Sequence, residues 1–184
     1  IILLYLCVGI YLSITTGITS DESFEQLNWD QNTSGIKSLI SFGHYDEFLR
    51  YLDKYHGIAF HYISQPVQFL TSNFVSHLNE VSDFGGHLMS KHSVVFLIFF
   101  ISGVYFYKLI NKLIKNSFFS ILSTSLYLLY PYLFGHSLFN MKDIPFLSIW
   151  LVTTYYFLDI IEDIYLEKKI SYKKIIFTSF WQPT

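Results

Sequence analysis

Ile1-Ile2-Leu3-Leu4-Tyr5-Leu6-Cys7-Val8-Gly9-Ile10-Tyr11-Leu12-Ser13-Ile14-Thr15-Thr16-Gly17-Ile18-Thr19-Ser20-Asp21-Glu22 is the stretch whose reading decides the fold. No residue from Ile1 to Ser20 carries a formal charge, and a run of about twenty such residues is what a helix needs to cross a bilayer. Asp21 and Glu22 then fall at the membrane–water boundary, with Glu25 and Asp30 close behind. Carboxylates in that place have two readings. They cap a helix end and mark the interface, or they take a proton from a water-borne substrate while facing something held in lipid.

The composition supports a membrane reading. The chain has 184 residues, of which 52% are hydrophobic and 20% aromatic, and only 14% are charged. A soluble domain carries nearer 25% charged residues, and so oily a surface is hard to keep in water. The net charge of −2, without a basic tract, gives no footprint for nucleic acid. The single cysteine, Cys7, excludes a disulfide framework or a cysteine-based zinc site within the chain. The chain begins inside one apolar run and stops as another starts, at Phe180-Trp181-Gln182-Pro183-Thr184, so it reads as a piece of a longer polytopic protein. A signal peptide would be shorter and end in a small-residue cleavage site.

The expected architecture is all-α: one polytopic transmembrane bundle with a long outer loop that contains amphipathic interfacial helices. The spans are expected at about residues 1–20, 92–110, 117–141 and 144–161, with a fifth starting at 175. The outer loop covers residues 21–91. In it Tyr45, Phe48, Leu49 and Leu52 form one apolar stripe at helical spacing, and Ile63, Val67, Leu70, Phe74 and Leu78 form another. Pro66 opens or kinks the second. Such helices lie flat on a bilayer or pack across the mouth of a bundle. Ser82-Asp83-Phe84-Gly85-Gly86 reads as a turn before the chain re-enters lipid. Lys108 snorkels at the far end of the second span, and Pro145 suits the first turn of the fourth.

The lysines set the orientation. Lys108, Lys112 and Lys115 follow the second span, and Lys168, Lys169, Lys173 and Lys174 follow the fourth, which places both loops on the cytoplasmic side. Asp21-Glu22, Lys91-His92 and Lys142-Asp143 then meet on the opposite rim. No glycine-rich nucleotide cradle or nucleophile elbow is present. The pairs His56/His61 and His87/His92 are five residues apart, about 140° round a helix, so neither converges on one metal ion.

The most specific run is Gly135-His136-Ser137-Leu138-Phe139-Asn140-Met141-Lys142-Asp143-Ile144-Pro145-Phe146. It resembles a signature of multi-pass glycosyltransferases of the C-type (GT-C) class, in the branch of dolichyl-phosphate-mannose–protein mannosyltransferases and bacterial aminoarabinose transferases. Asp21-Glu22 looks like the acidic pair of that class. Lys91-His92 stands where a basic–His pair is expected, with Lys in place of the more usual Arg. The resemblance implies inverting transfer of a sugar from a polyprenyl-phosphate donor to an acceptor hydroxyl on a protein, glycolipid or polysaccharide. It places the reaction on the outer side of a bacterial inner membrane. By that analogy Asp21 is the general base and Glu22 orients the acceptor or tunes Asp21. Lys91, His92 and Lys142 hold the leaving phosphate, with His136, Asn140 and Asp143 in support. It calls for no cofactor and leaves a divalent metal open.

Each of these residues has a plainer reading. Lys142 and Asp143 pair with each other, Lys91 anchors a helix at the interface, and His136 and Asn140 make an interhelical hydrogen bond. The competing class is a transporter or non-catalytic scaffold, which would carry charge near mid-membrane in broken helices; here the charges gather at one rim. Cysteines placed at Ser34 or Ser82 are expected to be labelled from the outer side only. Labelling from the cytoplasm would reverse the topology.

Overall fold

The computed structural model describes residues 2–55, 57–166 and 172–179. Among these the regular elements are nine helices. They are α1 (Ile2–Thr15), α2 (Ser20–Phe42), α3 (Asp46–Arg50), α4 (Ala59–Asn79), α5 (Asp83–Ile114), α6 (Ser117–Leu129), α7 (Pro131–Ser137), α8 (Asp143–Tyr165) and α9 (Tyr172–Ser179). Two of them, α5 and α8, are long and apolar enough to cross a membrane. The number rises to four if each of two bent pairs is one span: α1 with α2, bent by 85°, and α6 with α7, bent by 59°.

The expected first span is shorter than its apolar run. α1 stops at Thr15, where the Thr15 and Thr16 hydroxyls turn back on the carbonyls of Tyr11 and Leu12. A new helix starts at Ser20 because Glu22 reaches back to the Thr19 amide at 2.7 Å, the return half of a capping box. The expected third span is broken at Pro131, which has no amide hydrogen to continue α6. The last carbonyls of a helix have no amide partner of their own, and the Tyr5 hydroxyl, from α1, donates to one of them, Leu128, at 2.9 Å.

The outer loop is mostly helix. Residues 82–86 are the start of α5 rather than a turn, with the Ser82 hydroxyl accepting from the Gly85 amide at 3.1 Å. α5 has 32 residues, about 48 Å at 1.5 Å per residue. That exceeds a hydrocarbon core of about 30 Å. The first apolar stripe of the loop yields only the five residues of α3, leaving Leu52 exposed. The second forms α4, with Pro66 inside it, and packs lengthwise against α5. His56, Lys168 and Lys169 lie outside the described residues, and α9 covers the beginning of the expected fifth span.

Small residues set the helix contacts. A Cβ on Gly86 would stand 2.5 Å from the Ser76 Cβ and 2.7 Å from the Ser72 carbonyl oxygen, so only glycine lets α5 approach α4 this closely. Gly9 of α1 lies under the Phe96 ring, and Gly103 of α5 under Leu128 of α6. At the middle of α5, Val95 and Phe99 meet Met141 and Ile144 in a core flanked by Phe60, Tyr127, Leu128 and Leu133. At its far end Lys112 bonds Asp159 and Glu162, each at 2.6 Å, and Lys174 bonds Asp159 at 2.6 Å.

α4 is inside out. His61, Ser64, Gln68, Val75 and Ser76 are its buried face, while Leu70, Phe74 and most of the apolar stripe stay exposed. Its Gln68 amide donates to the His87 carbonyl of α5 at 2.8 Å. Replacing Gly86 with Leu should cost about 1–3 kcal/mol by forcing α4 off α5. Gly17→Ala, where a Cβ meets nothing within 4 Å, should stay within about 0.5 kcal/mol. Thermal unfolding in detergent micelles checks both.

Candidate functional site

The corner between α1 and α2 is held against α5 by one buried carboxylate. Glu22 Oε1 accepts from the Thr19 amide at 2.7 Å and from the Thr19 hydroxyl at 3.0 Å. Its Oε2 lies 2.9 Å from His92 Nε2, and both side chains are buried. On the far side of the ring, Nδ1 lies 3.0 Å from the Ser13 carbonyl oxygen at the end of α1. A carbonyl only accepts, so Nδ1 carries a hydrogen, and the bond to Glu22 needs one more proton, held by the ring or by the carboxyl.

One turn along α2, buried Glu25 binds Lys142 Nζ at 2.6 Å. This ties α2 to the junction of α7 and α8. Lys142 itself is half exposed. Lys91, the neighbour of His92 on α5, is fully buried, with no hydrogen-bond partner for its Nζ. The carboxylates whose charge acts on it are Glu22, Glu25 and Asp30, each of them held by another group: His92, Lys142 and the Gln26 amide. Lys91 is thus a cation within reach of negative charge yet bonded to none of it.

The residues singled out from sequence fall into three groups. Glu22, Lys91 and His92 come together, and Lys142 joins them through Glu25 rather than through Asp143. Asp21 is exposed at the start of α2, with the Ser20 hydroxyl 3.5 Å from its carboxylate. His136, Asn140 and Asp143 form a local knot. The Asn140 amide donates to His136 Nδ1 and to Asp143 Oδ2, both at 3.0 Å, and its oxygen accepts from the amides of Lys142 at 3.1 Å and Asp143 at 2.9 Å. That knot aims Lys142 by fixing the backbone on both sides of it.

Sequence reasoning leaves Glu25, Gln26 and Trp29 without roles. Their signal is spacing: residues 22, 25, 26 and 29 share one face of a helix. Trp29 stacks on His61 with ring centres 5.6 Å apart and closes the site toward α4. The Tyr51 hydroxyl donates to Asn28, and burial together with the charges of Asp53 and Glu25 holds its phenol above its ordinary pKa. Among the described residues no three His, Cys, Asp or Glu side chains converge as they would on a metal ion.

No protein-family model, curated protein or solved structure matches this chain.

Glu22→Ala strands His92 Nε2 and the Thr19 amide in a buried place and should cost about 3 kcal/mol. Glu22→Gln should cost much less, because its amide can donate to Nε2 while its oxygen still caps α2. Asp21→Ala should shift stability by no more than about 0.5 kcal/mol. Unfolding midpoints of the three variants in micelles check the ranking.

Proposed function

We propose that this chain is the membrane-embedded part of a GT-C-type glycosyltransferase. It transfers a sugar from a polyprenyl-phosphate donor to an acceptor hydroxyl on the non-cytoplasmic side of a bacterial inner membrane. The observation that carries the reading is the convergence of three separate stretches on one end of the bundle: the acids of α2, the Lys91-His92 pair of α5, and Lys142 between α7 and α8. Lys142 lies within the run that resembles the GT-C signature.

The roles follow from which groups are engaged. Attack by an alcohol on an anomeric carbon needs a base that can still accept a proton. Both Glu22 oxygens are occupied, by Thr19 and by His92, so Glu22 is a positioning residue that fixes the first turn of α2. Asp21, on that same turn, is exposed and is the base. The departing phosphate needs cations preorganised in a low-dielectric place. Lys91 supplies a buried charge, and half-exposed Lys142 can exchange Glu25 for a donor phosphate. His92 holds the corner that sets their spacing.

The test uses the protein made from its full reading frame. Asp21→Asn should abolish sugar transfer while leaving membrane insertion and donor binding close to normal. Lys142→Gln should weaken donor binding. Near-normal turnover of Asp21→Asn would remove Asp21 from its role.

A further inference from the structure

A second polar cavity lies at the other end of α2. It measures about 620 Å³ and opens between the last turns of α2 and the α3 segment. Ser34, Lys37, Ser38 and Ser41 line it from α2 at steps of three and four, so they share one face. Phe42, His44, Asp46 and Arg50 complete the lining. Asp46 is the one carboxylate among the lining residues, against two permanent cations.

Local chemistry explains why this groove exists. Gly43, at φ 74°, ends α2 in the left-handed conformation and lets the chain double back. Phe48 of α3 then rests on Gly35, where an added Cβ would stand 3.0 Å from the Phe48 Cβ. That contact seats α3, and with it Arg50, against α2.

The lining is exposed, apart from half-buried Ser38. Among the described residues, Lys37 and Arg50 have no ion-pair partner, and the hydroxyls of Ser34, Ser38 and Ser41 make no hydrogen bond. By contrast Ser13, Ser76, Ser90 and Ser102 each donate to a carbonyl of their own helix. Two cations and three free hydroxyl donors facing one cavity are what a phosphate oxygen set requires.

The surroundings say which phosphate. α2 turns 85° away from α1, and by length and composition the two helices together make at most one candidate span. Beside the groove, Leu39, Ile40 and Phe42 are exposed, Ile40 at 80% and Phe42 at 73%. Apolar side chains next to basic ones on one helix are the pattern of a segment at headgroup depth, with the apolar positions against acyl chains. Free phosphate has no use for that apolar rim. We infer that this groove holds the phosphate of an anionic phospholipid and so anchors the far end of α2 to the membrane surface. The inference does not rest on the glycosyltransferase reading, since it uses none of the same residues.

Native mass spectrometry of the full chain, released from nanodiscs that contain phosphatidylglycerol and phosphatidylcholine, tests it. Phosphatidylglycerol should be retained in preference. The double variant Lys37→Gln, Arg50→Gln should hold it about thirtyfold less tightly, at about fivefold for each charge lost near the surface. Gly35→Val keeps every charge but pushes Phe48, and with it Arg50, away; it should also lose the lipid, which covers the case in which the charge variant fails to insert. Equal retention of phosphatidylcholine, unchanged retention in the variants, or displacement of the lipid by inorganic phosphate at similar concentration would each overturn the proposal.

Discussion

The bond between Glu22 and His92 is the constraint on which the described site depends. An ionisable pair taken out of water is held only where its geometry and remaining hydrogen bonds are good, and here every ring nitrogen and carboxylate oxygen of the pair has a partner. Through those partners one contact reaches the end of α1, the cap of α2 and the middle of α5. The 85° corner is therefore not a loose hinge. It sets the direction of α2, and with it the reach of Glu25 toward Lys142. The α7–α8 junction joins the same frame from the other side, because Asn140 binds the backbone next to Lys142 and leaves that side chain free to meet α2.

The polarity of the helices follows from what surrounds them. More polar than apolar residues are fully buried among those described, the reverse of a soluble domain. α2 hides Glu22, Glu25, Gln26 and Asn28 and exposes Phe24, Leu27, Leu39 and Phe42. α4 does the same. Where the outer medium is apolar, there is no gain in hiding a phenylalanine, and a glutamine turned outward would lose its hydrogen bonds. The tight seam of glycine and serine between α4 and α5 is the packing that remains when burial of oil no longer drives association.

How much of this was readable from sequence depended on which signal each element used. α5 and α8 stood out as long apolar runs. α2 was hidden, because an inside-out helix carries its apolar stripe on the face that does not mark the core. Its two ends were nonetheless written in the chain: Thr19 with Glu22 opens it and Gly43 closes it. Which of Asp21 and Glu22 is buried was out of reach, since neighbours on a helix point about 100° apart and only the packing against His92 selects one. Lys142 beside Asp143 looked like a pair in sequence, but Asn140 takes up Asp143 and Glu25 takes up Lys142. The run 135–146 is thus compact in sequence and divided in its contacts.

The hydroxyl of Tyr5 adds a matter of timing. The backbone at the α6–α7 break needs a donor that α6 cannot supply in lipid, and the donor comes from the first helix of the described chain. Synthesis runs from the amino end, so Tyr5 is made before the broken segment that its hydroxyl bonds. The early helix holds the donor in readiness: Pro131 makes the break, and Tyr5 then satisfies the carbonyl beside it.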